Sequence, residues 1–165
     1  MIKTSDEIKK IRIASQLAAE VLEYIEPFVK VGNSTNYLDK KCHDFIVHEQ
    51  KAIPAPLNYH GFPKSICTSL NHQVCHGIPS DKKLKNGDII NIDVAVIKDK
   101  YHGDTSKMFT IGKISKQAEI LNNISKNCLY KAIEIVKPGI RIGCIGYTIQ
   151  KYAEDNHYSV VRDYC

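Results

Sequence analysis

The stretch NIDVAVIKDKYHGDTSKMF, Asn91 to Phe109, decides what kind of fold this chain makes. At its start Ile90, Ile92, Val94 and Val96 alternate with Asn91, Asp93 and Ala95. Successive side chains of a strand point to opposite faces, so the aliphatic set faces a core and Asp93 faces away from it. With a chain reversal at Lys98-Asp99, the two halves form an antiparallel hairpin in which Asp93 stands directly opposite Asp104. Cβ atoms in such a pair are about 5 Å apart, a separation at which like charges destabilise each other. A shared proton relieves this, as does a divalent cation held between hard carboxylate oxygens, or an outward splay into water. A register slip of one residue would dissolve the pairing. The residues alone leave these alternatives open.

Working outward, the period of two runs from Ser65 to about Gly112, with strands separated by Gly77, Pro79, the Asn86-Gly87 turn and the KDK connection. Helical spacing dominates on both sides. Thr4 and Glu7 fit a capping box, and Ile8, Ile11, Ala14, Ala18, Leu22 and Ile25 follow as one stripe until Pro27 and Gly32. A second helix starts near Ser34 or Thr35 with Leu38, Cys42, Phe45 and Ile46 on one side, and it ends before Pro54 and Pro56. Ser115 opens a third, striped by Leu121, Ile124, Cys128, Ala132 and Ile135 and closed by Pro138-Gly139; a fourth spans Ile142 to Asp155. The closing SVVRDYC reads as a strand from Ser159. Helices thus lie on both sides of a strand-rich middle segment.

Residues 1–165 are expected to form a single domain, a size that buries roughly 70% of the surface its unfolded chain exposes. The net charge of +5 is carried mostly by scattered lysines. That pattern suits a solvated surface and at most a loose contact with a ribosome, not a specific nucleic-acid site. Six cysteines without a C-x-x-C pair point to reduced thiols. The N-terminus carries Asp6 and Glu7 in place of an apolar signal region, and no run approaches the ~20 apolar residues of a membrane span, so a cytoplasmic location is expected. The spacing His72 to His76 imitates part of H-E-x-x-H, but Gln73 stands where the glutamate belongs, and Gly77 and Pro79 oppose a helix.

IDVAVIKDKYHGDTSKMF, together with the upstream NYHGFPKSICTSLNHQVCHGIP, closely resembles the type I methionine aminopeptidases, and the flanking helices fit the same pattern over essentially the whole chain. The resemblance implies an α+β pita-bread fold, an antiparallel sheet flanked by helices, and a dinuclear metal site that removes the initiator methionine from new proteins. On it, Asp93 contacts both metals and Asp104 one, the ions being divalent cobalt, manganese, iron or zinc, with a bridging hydroxide as nucleophile. His76 corresponds to the family histidine that hydrogen-bonds the substrate backbone and steadies the tetrahedral intermediate. Tyr59, Phe62 and Cys67 line the methionine pocket with His60 near its mouth, aromatic rings and a thiol being good neighbours for a thioether. Relatives often carry tyrosine at the place of Phe62, and some carry cysteine at that of Pro56. The resemblance assigns His102 no ligand role.

The family completes its metal site with a histidine, in a GHG motif just after the strand matching SVVRDYC, and with two glutamates further on. The sequence given stops at Cys165. The expectation is a truncated catalytic domain with little activity alone, monomeric when complete and prone to associate as a fragment, whose partners are nascent polypeptide N-termini. A non-catalytic peptide- or protein-binding module of the same fold is the alternative. A prolidase-like enzyme fits YHGFPKS and DTSKMF less well.

Overall fold

A computed structural model describes residues 2–163. The chain divides into two compact units, Met1–Ile114 and Ser115–Cys165.

In the first unit, helix α1 spans Ser5–Ile25 and begins with the expected capping box: Glu7 N–H donates to Thr4 Oγ1 at 3.3 Å and Thr4 N–H to Glu7 Oε2 at 2.7 Å. Its buried stripe is Ala14, Ala18, Val21, Leu22 and Ile25, whereas Ile8 lies 47% exposed. Pro27 falls inside a short 3-10 turn, Glu26–Phe28, that ends this helical run. Helix α2, Thr35–Asp44, starts where Ser34 Oγ accepts from Tyr37 N–H at 3.2 Å. It runs on into a wider turn over Phe45–Glu49, closed by Gln50 N–H to the Phe45 carbonyl at 3.0 Å.

The sheet has four strands: β1 Ile53–Pro54, β2 Cys67–Leu70, β3 Ile89–Lys98 and β4 Tyr101–Thr110. β3 is the centre; β4 pairs along one edge, while β1 and β2 share the other end to end, all antiparallel. The short β1 was not anticipated from the sequence, because Pro54 demotes such a run, and it pairs only at the edge opposite Val96 and Ile97. Ile90, Ile92, Val94 and Val96 are fully buried, as the alternation requires, and form one core with α1 and α2. Burying such side chains is worth about 1.5–3 kcal/mol each. Helix α1 comes especially close to β4 at Gly103, where an added Cβ would overlap the Ala14 carbonyl.

The hairpin register corrects the expected one. The two-residue turn is Asp99-Lys100, not Lys98-Asp99, and both residues take left-handed backbone, φ 50° and 71°. Such a turn matches the right-handed strand twist. Asp93 therefore pairs with Ser106, and Asp104 with Ala95. Moving a hairpin turn by one residue shifts every partner by two, and side chains alternate with a period of two. Asp104 thus stays on the face of Asp93, as a diagonal neighbour at about 7–8 Å and not directly across, which weakens their repulsion.

The second unit consists of α3, Lys116–Glu134, and α4, Ile142–Asp155. Ser115 caps α3 by accepting from Ala118 N–H at 3.2 Å. Of the expected stripe, Cys128 and Ala132 are buried, but Leu121 is 40% exposed. The strand expected from Ser159 is absent over 159–163, which are coil and turn; Tyr164 and Cys165 lie outside the described residues. Val160 and Val161 favour a strand, but among the described residues nothing pairs with them. Cys42, Cys67, Cys75, Cys128 and Cys144 are free thiols. Among the described residues no helix is long and apolar enough to cross a membrane.

Candidate functional site

The polar face of the hairpin forms the floor of a pocket of about 750 Å³ in the first unit. Asp93 and Ala95 reach it from β3, His102 and Asp104 from β4, and Cys67 from the start of β2, where its Cα partner is Asp93. The walls come from two loops. One carries Pro56, Tyr59, His60 and Phe62, the other His76 and Ile78. All seven residues named from the sequence, Tyr59, His60, Phe62, Cys67, His76, Asp93 and Asp104, meet in this one pocket.

Both loops hold backbone conformations that side chains resist. Asn58, His60 and Gly61 have φ of 68°, 46° and 84°, and the loop is closed by Asn58 N–H to the Phe62 carbonyl at 2.8 Å. The Tyr59 ring meets the His60 imidazole edge-on at 4.4 Å and stays 68% exposed, so Tyr59 is an outer wall and not a core aromatic. His76 is left-handed as well, at φ 51°. Left-handed backbone costs a non-glycine residue about 1–2 kcal/mol. The next residue compensates at His76: Gly77 donates to the buried Ser69 Oγ at 3.1 Å and accepts from Thr68 N–H at 2.7 Å. A Cβ at Gly77 would overlap the Thr68 carbonyl, so only glycine fits there.

Electrostatics mark the acidic pair. The Asp93 carboxyl is pushed above the usual carboxylate range, first by burial and then by the Asp104 charge; His76 and a backbone hydrogen bond at Val94 pull the other way. Burial, followed by the charge of Asp93, lifts the Cys67 thiol to about 11, so it stays protonated at neutral pH. A divalent cation would reverse the sign at Asp93, replacing a repulsive neighbour with an attractive one. Two hard carboxylates suit such an ion. Among the described residues, however, no group of three His, Cys, Asp or Glu side chains is placed to hold one.

His102, given no ligand role from the sequence, also lines the pocket. The signal was available: it precedes Asp104 by two positions on one strand, and that parity alone puts it on the same face. Ile78 and Pro63 carried no comparable signal, since loop residues have no period.

An antiparallel hairpin thus presents two carboxylates to a pocket walled by imidazoles, with helices packed on its other face. The profile of Metallopeptidase family M24 matches residues 9–165, and the chain belongs to that family. It is 59% identical over 165 residues to the methionine aminopeptidase of Salmonella typhimurium and 58% identical to that of Escherichia coli, covering 99% of this chain and 62% of each relative. The crystal structure of methionine aminopeptidase from Rickettsia prowazekii superposes with a TM-score of 0.97 at 54% identity, covering 99% of this chain and 66% of that one. The chain therefore spans somewhat under two thirds of the length of the curated relatives it matches. The pita-bread fold expected from the sequence is the fold it has.

Proposed function

We propose that this chain provides the acidic and methionine-recognising part of a metal-dependent aminopeptidase site, one that removes the initiator methionine from new polypeptides in the cytoplasm. The observation that carries this reading is the shared pocket: Asp93 and Asp104 on one face of the hairpin, with His76, Phe62 and Cys67 around them. Asp93 would hold two divalent ions and Asp104 one of them, with cobalt, manganese, iron and zinc as candidates. When bound, such ions polarise a carbonyl and lower the pKa of water to about 7.

The chain's own residues do the rest. His76 hydrogen-bonds the substrate backbone and steadies charge developing at the scissile carbonyl. Its left-handed backbone, held by Gly77 against β2, fixes where the ring points. Phe62, Tyr59 and Cys67 receive the thioether, each sulfur–aromatic contact adding about 0.3–1.5 kcal/mol. His60 stands at the mouth. The partners on this reading are N-termini of nascent chains, with a transient ribosome contact through the lysine-rich surface.

Binding of Met-Ala-Ser and Ala-Ala-Ser to the 165-residue chain, by calorimetry with and without EDTA, tests the reading. Burial of the methionine side chain should favour Met-Ala-Ser by about tenfold or more, and EDTA should weaken that binding. Equal affinity for the two peptides would contradict it. Turnover of Met-Ala-Ser by this chain should be slow, because two carboxylates hold metal loosely. The second reading is a peptide-binding module of the same fold that works without metal. Methionine selectivity indifferent to EDTA would select it.

A further inference from the structure

The segment from Phe62 to Cys67 leads from the pocket wall into β2, and α2 grips it from behind. Asp39, in the body of α2, is only 8% exposed. One of its oxygens accepts from both Ser65 N–H, at 2.8 Å, and Ile66 N–H, at 3.2 Å. The other faces Lys64 Nζ at 3.8 Å. One helical turn on, His43 Nδ1 bonds Ser65 Oγ at 2.8 Å.

A covered carboxylate inside a helix is unfavourable unless its oxygens find donors, and α2 needs no charge for its packing: Leu38 and Cys42 on either side of Asp39 are fully buried hydrophobes. Two consecutive backbone N–H groups satisfy it through charge-assisted hydrogen bonds, the strong kind. The arrangement is not a nucleophile. Ser65 is 2% exposed, and Asp39 bonds amides and not the imidazole. Its effect falls on geometry. The residue after the gripped amides is Cys67, which pairs with Asp93 and lines the pocket, while Lys64 before them leads back to Pro63 and Phe62 of the wall.

We propose that Asp39 is a positioning residue for the pocket: by accepting two consecutive backbone N–H groups it fixes where Phe62 and Cys67 stand, and so the width offered to a bound side chain. His43 and Lys64 brace the same segment. The identity of that side chain as methionine rests on the aminopeptidase reading; the anchoring does not.

The test is site-resolved alkylation of the 165-residue chain by iodoacetamide, read by mass spectrometry at a temperature where circular dichroism shows every variant folded. Asp39→Ala should speed modification of Cys67 by about tenfold or more, matching the loss of hydrogen bonds to a charged acceptor. Asp39→Asn keeps the acceptor oxygen and should stay within about threefold of the unaltered chain at Cys67. An unchanged Cys67 rate in Asp39→Ala overturns the proposal. So does an Asn variant as fast as the Ala variant, which would assign the effect to the lost charge and not to the lost anchoring of the backbone. Failure of the unaltered chain to distinguish Met-Ala-Ser would count against the aminopeptidase reading alone, since the Cys67 rates need neither metal nor peptide.

Discussion

Asp93 is the residue on which the electrostatics turn. Its carboxyl holds a proton more tightly in the folded chain than in the unfolded one, because burial and then Asp104 disfavour its charge. A raised carboxylate pKa contributes stability that is complete below the unfolded value, about 3.9, and is lost as pH rises through the folded value. At pH 7 without metal the ionised Asp93 therefore costs stability. Asp93→Asn should raise the melting temperature at pH 7, and the gain should vanish as pH falls below the unfolded carboxylate value of about 3.9. Thermal scans across that window check it; a variant less stable than the parent at pH 7 would contradict the assignment. A second prediction concerns Gly77. Its added Cβ would strike the Thr68 backbone, which cannot rotate away, so Gly77→Ala should cost about 1–3 kcal/mol in urea denaturation. The Cys67 thiol, raised to about 11, should alkylate slowly at pH 7 and speed up steadily as pH approaches that value.

The hairpin of β3 and β4 shows which information the sequence carried at the level of elements. Which residues share a face was legible, because alternation is a property of each strand alone: Ile90 to Val96 toward the core, Asp93 and Asp104 toward the pocket. Where the chain turns was not. Lys98-Asp99 and Asp99-Lys100 have similar chemistry, and neither includes the glycine that marks a two-residue turn. The choice between them is made by partners far away in sequence, such as the close seat of α1 on Gly103. For the same reason β1 escaped: it is set by pairing with β3 against a weak local signal. The turn now gives a prediction. Asp99 and Lys100 hold left-handed backbone at a cost, so replacing them by Asn-Gly should stabilise the first unit by about 1 kcal/mol or more, measured by denaturant midpoint. A loss of stability would argue for a different turn.

In the whole molecule, the pocket is made from parts that lie far apart in the chain, and that is why family likeness reached it before physics could. Periodicity grouped Asp93 with Asp104, but nothing in local pattern joins Tyr59, Phe62 and His76 to them; only the packing of two strained loops against the sheet does. The second unit was legible as two helices: α4 has the expected ends, α3 stops at Glu134, short of Pro138, and the expected stripe holds at Ile124, Cys128, Ala132 and Ile135, with Leu121 exposed. The central claim is that Asp93 and Asp104 face one pocket and together attract a divalent cation. Manganese binding followed by electron paramagnetic resonance tests it most directly, on the 165-residue chain and its Asp93→Asn and Asp104→Asn variants. The expected result is weak saturable binding to the unaltered chain that each substitution abolishes. Binding that survives both substitutions, or is absent from all three proteins, would contradict the claim.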